Sequence, residues 1–124
     1  MTVAPMKQGD TFLGGGEVHG EDHLWLIIND PTAHAGVALI ANVSTLRPNA
    51  ETTCIVQSVE HPFIKHASYV RYGSARGVKA ADLAAAVKKG LLKPHQAAGK
   101  ALLEKARAGA KASPLLAGEL RSVL

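Results

Sequence analysis

Titratable and cationic side chains are concentrated in residues 61–72, which read HPFIKHASYVRY. This stretch holds two histidines, a lysine, an arginine, a serine and both tyrosines of the chain. Imidazole groups exchange protons near neutral pH, and lysine and arginine side chains can hold an anion. The rest of the chain is mostly aliphatic or rich in alanine and lysine, so we expect any chemical site to begin in this stretch.

Cleavage of RNA without a metal ion is the chemistry that best fits these groups. The 2′-OH of RNA is the nucleophile, so the protein supplies a base, an acid and cationic donors for the phosphate. We predict that His61 and His66 transfer the protons. Lys65 and Arg71 are predicted to hold the phosphate, and Tyr69 to stack a base or donate its hydroxyl.

A structural role is the alternative for the same loop. Residues 62–64 could anchor it by packing, with one histidine bonded to a backbone carbonyl. The two histidines are five positions apart with Pro62 between them, so they cannot form the i, i+4 pair of a helical zinc site. No other spacing specifies metal ligands, and we predict neither a metal nor a cofactor.

The strand period divides residues 68–72 between two faces. Ser68, Val70 and Tyr72 share one face, while Tyr69 and Arg71 share the other. Because Val70 is expected to point inward, the second face is the outward one. Ser68 could contact RNA or bond to a neighbouring backbone group.

Two further polar groups come from other strands. Ser44 and Thr45 close a long apolar strand, where a hydroxyl could bind phosphate or cap the turn into residues 46–48. The cluster His19, Glu21, Asp22 and His23 precedes the strand that contains Trp25. It could line the same cleft or form an ordinary solvated loop.

Residues 1–76 read as β-structure and residues 77–124 as helical. The continuous apolar run 36–43 suggests a strand buried on both faces, and the lack of helical periodicity favours a small antiparallel barrel or sandwich. The predicted strands are 11–13, 23–28, 36–43, 52–56 and 68–72.

About three short helices are predicted in the second half, packed on the same single domain. The first covers residues 82–87 and stops at Gly90. The second begins near Pro94 and stops at Gly109. Ser113 reads as the N-cap of a third helix. Its buried stripe would be Leu115, Leu116, Leu120, Val123 and Leu124.

Charge is distributed unevenly. Residues 1–75 have four basic and seven acidic side chains, whereas residues 76–124 have ten basic and three acidic ones. The basic half could attract nucleic acid, anionic lipid or an acidic partner, or it could be a solvated helix surface. The single cysteine, Cys54, excludes an internal disulfide, and no apolar run reaches the roughly 18–20 residues of a membrane span. We therefore predict a cytoplasmic protein without membrane contact.

Several blocks, taken in order, resemble the PemK/MazF-like toxins of bacterial toxin–antitoxin pairs. They are Gly9-Asp10, residues 23–31 (HLWLIINDP), residues 37–45 (VALIANVST) and residues 61–70 (HPFIKHASYV). The likeness covers roughly residues 7–80. It implies an SH3-like β-barrel, a homodimer and a metal-independent endoribonuclease that cuts single-stranded mRNA. It also implies an antitoxin whose acidic, flexible segment covers the active face.

The resemblance transfers only some active-site residues. In that family an arginine near the start of the second strand and a Ser or Thr at the end of the third are usual. Ser44 or Thr45 matches the second, but residues 21–24 (EDHL) contain no arginine, and His23 is the nearest polar substitute. The chain could use His61, His66 and Arg71 instead.

Two other functions remain open on the sequence. The chain could be a non-catalytic SH3-like module that binds nucleic acid or an acidic protein through its basic half. It could also be an oligomerisation domain whose Ala/Leu helices dock on a partner chain.

Overall fold

One curled antiparallel sheet of six strands forms a half-barrel in the computed structural model, which describes residues 6–14 and 23–124. The strands are β1 (Thr11–Gly14), β2 (His23–Ile27), β3 (Val37–Thr45), β4 (Ile55–Val56), β5 (Ser68–Lys79) and β6 (Lys93–His95). Their order across the sheet is β4-β5-β3-β2-β1-β6, so β4 and β6 are its edges. A mainly β chain with helices late in the sequence is therefore confirmed.

Both faces of the sheet are buried, because apolar residues of both parities occur along the central strands. In β2, Leu24 and Leu26 join the larger core layer, while Trp25 and Ile27 join the smaller one. Helix α2 (Lys100–Ala112) covers the larger layer and helix α1 (Ala80–Lys88) the smaller. This two-sided cover explains the continuous apolar run of β3, whose residues 38–43 are all buried.

The first helix agrees with the sequence, and the second does not begin where predicted. Helix α1 follows β5 directly and ends before Gly90, whose φ is 78°. Pro94 lies in β6 instead of opening a helix, and α2 begins only at Lys100. Proline is tolerated there because β6 is an edge strand.

Gly109 lies inside α2 and does not end it, which corrects the predicted stop. A Cβ at Gly109 would overlap the Tyr72 hydroxyl and lie 3.1 Å from Cβ of Cys54. The Tyr72 hydroxyl in turn donates a hydrogen bond of 2.7 Å to the carbonyl of Ala106. The glycine thus lets α2 approach β5 closely.

The last segment is a 3-10 helix, Gly118–Val123, and Ser113 ends α2 without starting a new α-helix. Leu116 is buried as predicted, but Leu115 is 56% exposed and does not belong to the apolar stripe. The remaining members, Leu120, Val123 and Leu124, pack on the larger core layer.

The predicted boundary at residue 76 falls inside β5, which continues to Lys79. Across the residues that the structure describes, no helix combines the length and apolar character needed to cross a membrane.

Candidate functional site

A cleft of about 520 Å³ opens at one end of the sheet. There β1 and β3 end, β2 and β5 begin, and residues 61–67 form the loop that leads into β5. The antiparallel pairing of Gly14 with His23 and of Thr45 with Ser68 brings these strand ends together. The lining residues are Leu13, His23, Val43, Ser44, Thr45, Arg47, Phe63, Ile64, Lys65, His66 and Ser68.

The cleft combines an apolar floor with polar and cationic groups. Val43 and Ile64 belong to the larger core layer, and Leu13 and Phe63 pack against it. Arg47, Lys65 and His66 are exposed, and none of the described residues that line the cleft is acidic. The side chains present therefore create a positive potential that favours an anion.

Six of the nine predicted site residues line this cleft. They are His23, Ser44, Thr45, Lys65, His66 and Ser68. Ser68 is 5% exposed, and its hydroxyl donates to the carbonyl of His66 at 2.8 Å. Of the two roles predicted for Ser68, the structure shows the hydrogen bond to a neighbouring backbone group. This bond holds the loop that presents His66.

The hydroxyl of Ser44 is oriented by a neighbour on the same face of β3. Asn42 Nδ2 donates to Ser44 Oγ at 3.3 Å, which leaves the serine proton available to a ligand. Asn42 itself is 3% exposed, and this contact therefore comes from a buried, fixed side chain.

His61 does not line the cleft. It is 2% exposed, its Nε2 lies 2.7 Å from the Gln96 carbonyl, and its Nδ1 accepts the Phe63 N–H at 3.1 Å. Since Nδ1 is an acceptor, Nε2 carries the proton and the ring is neutral. Burial lowers the pKa of His61 and the charge of His95 adds to this, while the Gln96 carbonyl opposes it. These contacts anchor the loop of residues 61–67 to the backbone at Gln96.

Tyr69 and Arg71 line a separate groove of about 300 Å³ and are absent from the lining of the cleft. The predicted division of the strand is confirmed, since Val70 and Tyr72 are buried at 0% and 1% while Arg71 is exposed. The groove also includes Asn49, Glu51, Gly73, Ser74 and Leu115. This pair and His66 therefore belong to two different depressions of the surface.

Arg47 lines the cleft although sequence reasoning gave it no role. Residues 46–48 are predicted to form a turn, and a turn position by itself does not indicate a functional role for the Arg47 side chain. One signal was available: Arg47 is one of only four basic residues in the first 75 and lies two positions after Thr45. Its guanidinium can hold a phosphate with paired donors.

His19, Glu21 and Asp22 lie outside the described residues. Within residues 6–14 and 23–124, no group of three or more His, Cys, Asp or Glu side chains could hold a metal ion.

No protein-family model matches this chain, and no curated protein matches it. What the cleft can do therefore follows from its own groups. Two imidazoles, three hydroxyls and two cationic side chains line one opening. Such a set can bind a phosphate group and exchange protons with the oxygens attached to it.

Proposed function

We propose that the chain is a metal-independent endoribonuclease that cleaves single-stranded RNA in the cleft at the end of β3. One observation carries the proposal: His23 and His66 line the same opening as Arg47 and Lys65, and no described lining residue is acidic. A phosphodiester needs this combination of positive charge and two proton-transfer groups.

Binding comes first in the proposed mechanism. Arg47 and Lys65 neutralise the phosphate, and the hydroxyls of Ser44 and Thr45 donate to its non-bridging oxygens. The apolar floor of the cleft, formed by residues such as Phe63, offers a surface for a sugar or a nucleobase.

The chemical step uses the 2′-OH of the RNA. One imidazole takes the 2′-OH proton as the new O2′–P bond forms, and the other gives a proton to O5′ as the P–O5′ bond breaks. The products are a 2′,3′-cyclic phosphate and a free 5′-OH. His23 and His66 are the pair that fills these roles, since His61 is buried and its ring nitrogens are occupied.

The resemblance to PemK/MazF-like toxins supports a wider proposal. The chain would be the toxin of a bacterial toxin–antitoxin pair and act as a cytoplasmic homodimer on mRNA. Its antitoxin would carry an acidic, flexible segment. Arg47, Lys65 and His66 give this segment a positive surface to cover, so that antitoxin and RNA compete for one site.

The first prediction is that the pure protein cuts a single-stranded RNA of mixed sequence in EDTA and that His66→Ala abolishes cutting. General acid–base catalysis contributes roughly 10²- to 10⁴-fold, so we expect a rate loss of at least about 100-fold. The measurement is gel analysis of end-labelled RNA. His34→Ala is the matched control, because His34 ends the 3-10 helix Pro31–His34 at the opposite end of β3 and should leave the rate unchanged.

Two further results decide the mechanism. RNA carrying 2′-O-methyl groups should stay intact, because its nucleophile is blocked. Intact ordinary RNA after incubation with folded wild-type protein would reject the nuclease. If such RNA is bound but not cut, the chain is the non-catalytic binding module instead.

A further inference from the structure

The second groove differs from the cleft in its chemistry. Its charged groups are one arginine, Arg71, and one carboxylate, Glu51, and its aromatic side chain is the half-buried Tyr69. The cleft suits a phosphate because it is cationic. The groove carries compensating charges and an aromatic ring, which suits a nucleobase.

The two sites adjoin each other through one cross-strand pair. Ser44 of β3 lines the cleft, and it lies directly opposite Tyr69 of β5, which lines the groove. Residues in such a position have Cβ atoms about 4.5–5.5 Å apart. An RNA strand with one phosphate in the cleft can therefore place a neighbouring nucleotide in the groove.

Glu51 is held rigidly and has acceptor capacity left. Its Oε2 accepts a hydrogen bond of 2.8 Å from Thr53 Oγ1 and another from Ser113 Oγ. Its Oε1 is buried and has no hydrogen-bond partner among the described residues. A buried carboxylate oxygen without a donor is costly, so a donor that enters the groove is favoured. Leu115, which is 56% exposed, lines the groove together with Glu51.

We propose that this groove is a base-specificity subsite that prefers a base with an exocyclic amino group, such as cytosine, over uracil. Tyr69 stacks on the base, Arg71 contacts its backbone, and Glu51 accepts the amino group. Uracil presents a carbonyl where cytosine has the amino group, which sets two acceptors against each other. The inference rests on the proposed RNA function and names the determinant of its sequence preference.

The test compares binding of 2′-O-methyl dodecamers of cytidine and of uridine to the full chain by fluorescence anisotropy. These probes are pyrimidines of equal size that cannot be cut by 2′-OH attack. We expect the wild type to bind the cytidine probe about tenfold more tightly, the effect of one hydrogen bond to a charged group. Glu51→Gln should bring this ratio close to one, while Glu119→Gln, on the exposed 3-10 helix, should retain it.

Tyr69 provides a second variant that does not depend on Glu51. Tyr69→Ala should weaken binding of both probes about tenfold or more, and Tyr69→Phe should bind as the wild type does, because the ring is retained. Thermal melts check that each variant is folded.

The inference is overturned if Glu51→Gln keeps the wild-type ratio, or if Tyr69→Ala binds both probes normally while Arg47→Ala does not. If ordinary RNA is still cut in either case, the proposed function stands without the subsite. If neither probe binds and ordinary RNA stays intact, the proposed function and the subsite fail together.

Discussion

His61 and His66 are five positions apart in the sequence but lie in different environments in this fold. His66 is exposed at the cleft, whereas His61 is buried with both ring nitrogens in hydrogen bonds. Protonation of His61 at Nδ1 would break the bond from Phe63 and place a charge beside the ring of His95, whose centroid is 5.0 Å away. The residue that supports the loop is therefore sensitive to acid.

We predict that His61 makes the fold less stable below about pH 6.5, the ordinary pKa of histidine. Its folded-state pKa is lowered mainly by burial, so the unfolded chain takes up the proton first as the pH falls. The contribution is complete above the unfolded pKa and is lost as the pH drops through the folded one. Thermal melts between pH 7.5 and 5 should show this loss in the wild type.

His61→Gln isolates this effect. An amide can still donate to the Gln96 carbonyl but does not titrate, so the variant should be less stable at pH 7.5 by about 1–3 kcal/mol and less pH-dependent. His34→Ala serves as the control for removal of a histidine elsewhere. Equal acid sensitivity of His61→Gln and the wild type would contradict this account.

Helix α2 illustrates how one small residue fixes the distance between an element and the sheet. Gly109 faces Tyr72 and Cys54 on the larger core layer. Burial raises the pKa of both the Cys54 thiol and the Tyr72 hydroxyl, so both stay neutral under α2. The contact is one of shape and of the hydrogen bond from Tyr72 to Ala106.

Gly109→Ala should therefore destabilise the protein, although alanine is the better helix former. Overpacking of a tight core contact costs about 1–3 kcal/mol, more than the roughly 1 kcal/mol gained in helix propensity. Urea unfolding measures the difference. Gly118→Ala is the matched control, because a Cβ there meets no atom within 4 Å. A Gly109→Ala protein as stable as the wild type would show that α2 does not need this close approach.

At the scale of the whole molecule, one strand links the basic half of the chain to the cleft. Lys93 of β6 pairs with Leu13 of β1, and Leu13 lines the cleft. Residues paired in this way lie on the same face of a sheet, so the Lys93 side chain projects from the same face as Leu13. If the proposed function holds, this basic residue would extend the surface that binds RNA phosphates.

Lys93→Ala should reduce the salt dependence of RNA binding. Each phosphate contact to single-stranded nucleic acid contributes about 0.7 to the slope of log affinity against log salt, so the slope should fall by about that amount. Uncut 2′-O-methyl RNA is the probe. Lys79→Ala is the control, because Lys79 pairs with Val37 at the far end of β3, about 25 Å from Thr45. Equal slopes for both variants would remove Lys93 from the binding surface.

Local patterns in the sequence determined the mainly β first half, helix α1 and the two faces of residues 68–72. They also indicated polar groups at the ends of β2 and β3. These features depend on side-chain period and on neighbours within a few residues, which the sequence displays directly. Pro94, Gly109 and Ser113 carry local signals that fit more than one element, and the structure assigned them to an edge strand, a helix interior and a helix end.

Only the tertiary structure decided which predicted site residues share a cleft. The hydrogen bond that holds buried His61 joins it to the Gln96 carbonyl, 35 positions along the chain. Thr11 donates to the same carbonyl from 85 positions away. Tyr69 and Arg71 line a different groove from His66, and Arg47 joins His66 in the cleft where the strand ends meet. Such contacts depend on how distant segments pack, and no local period of the chain encodes that.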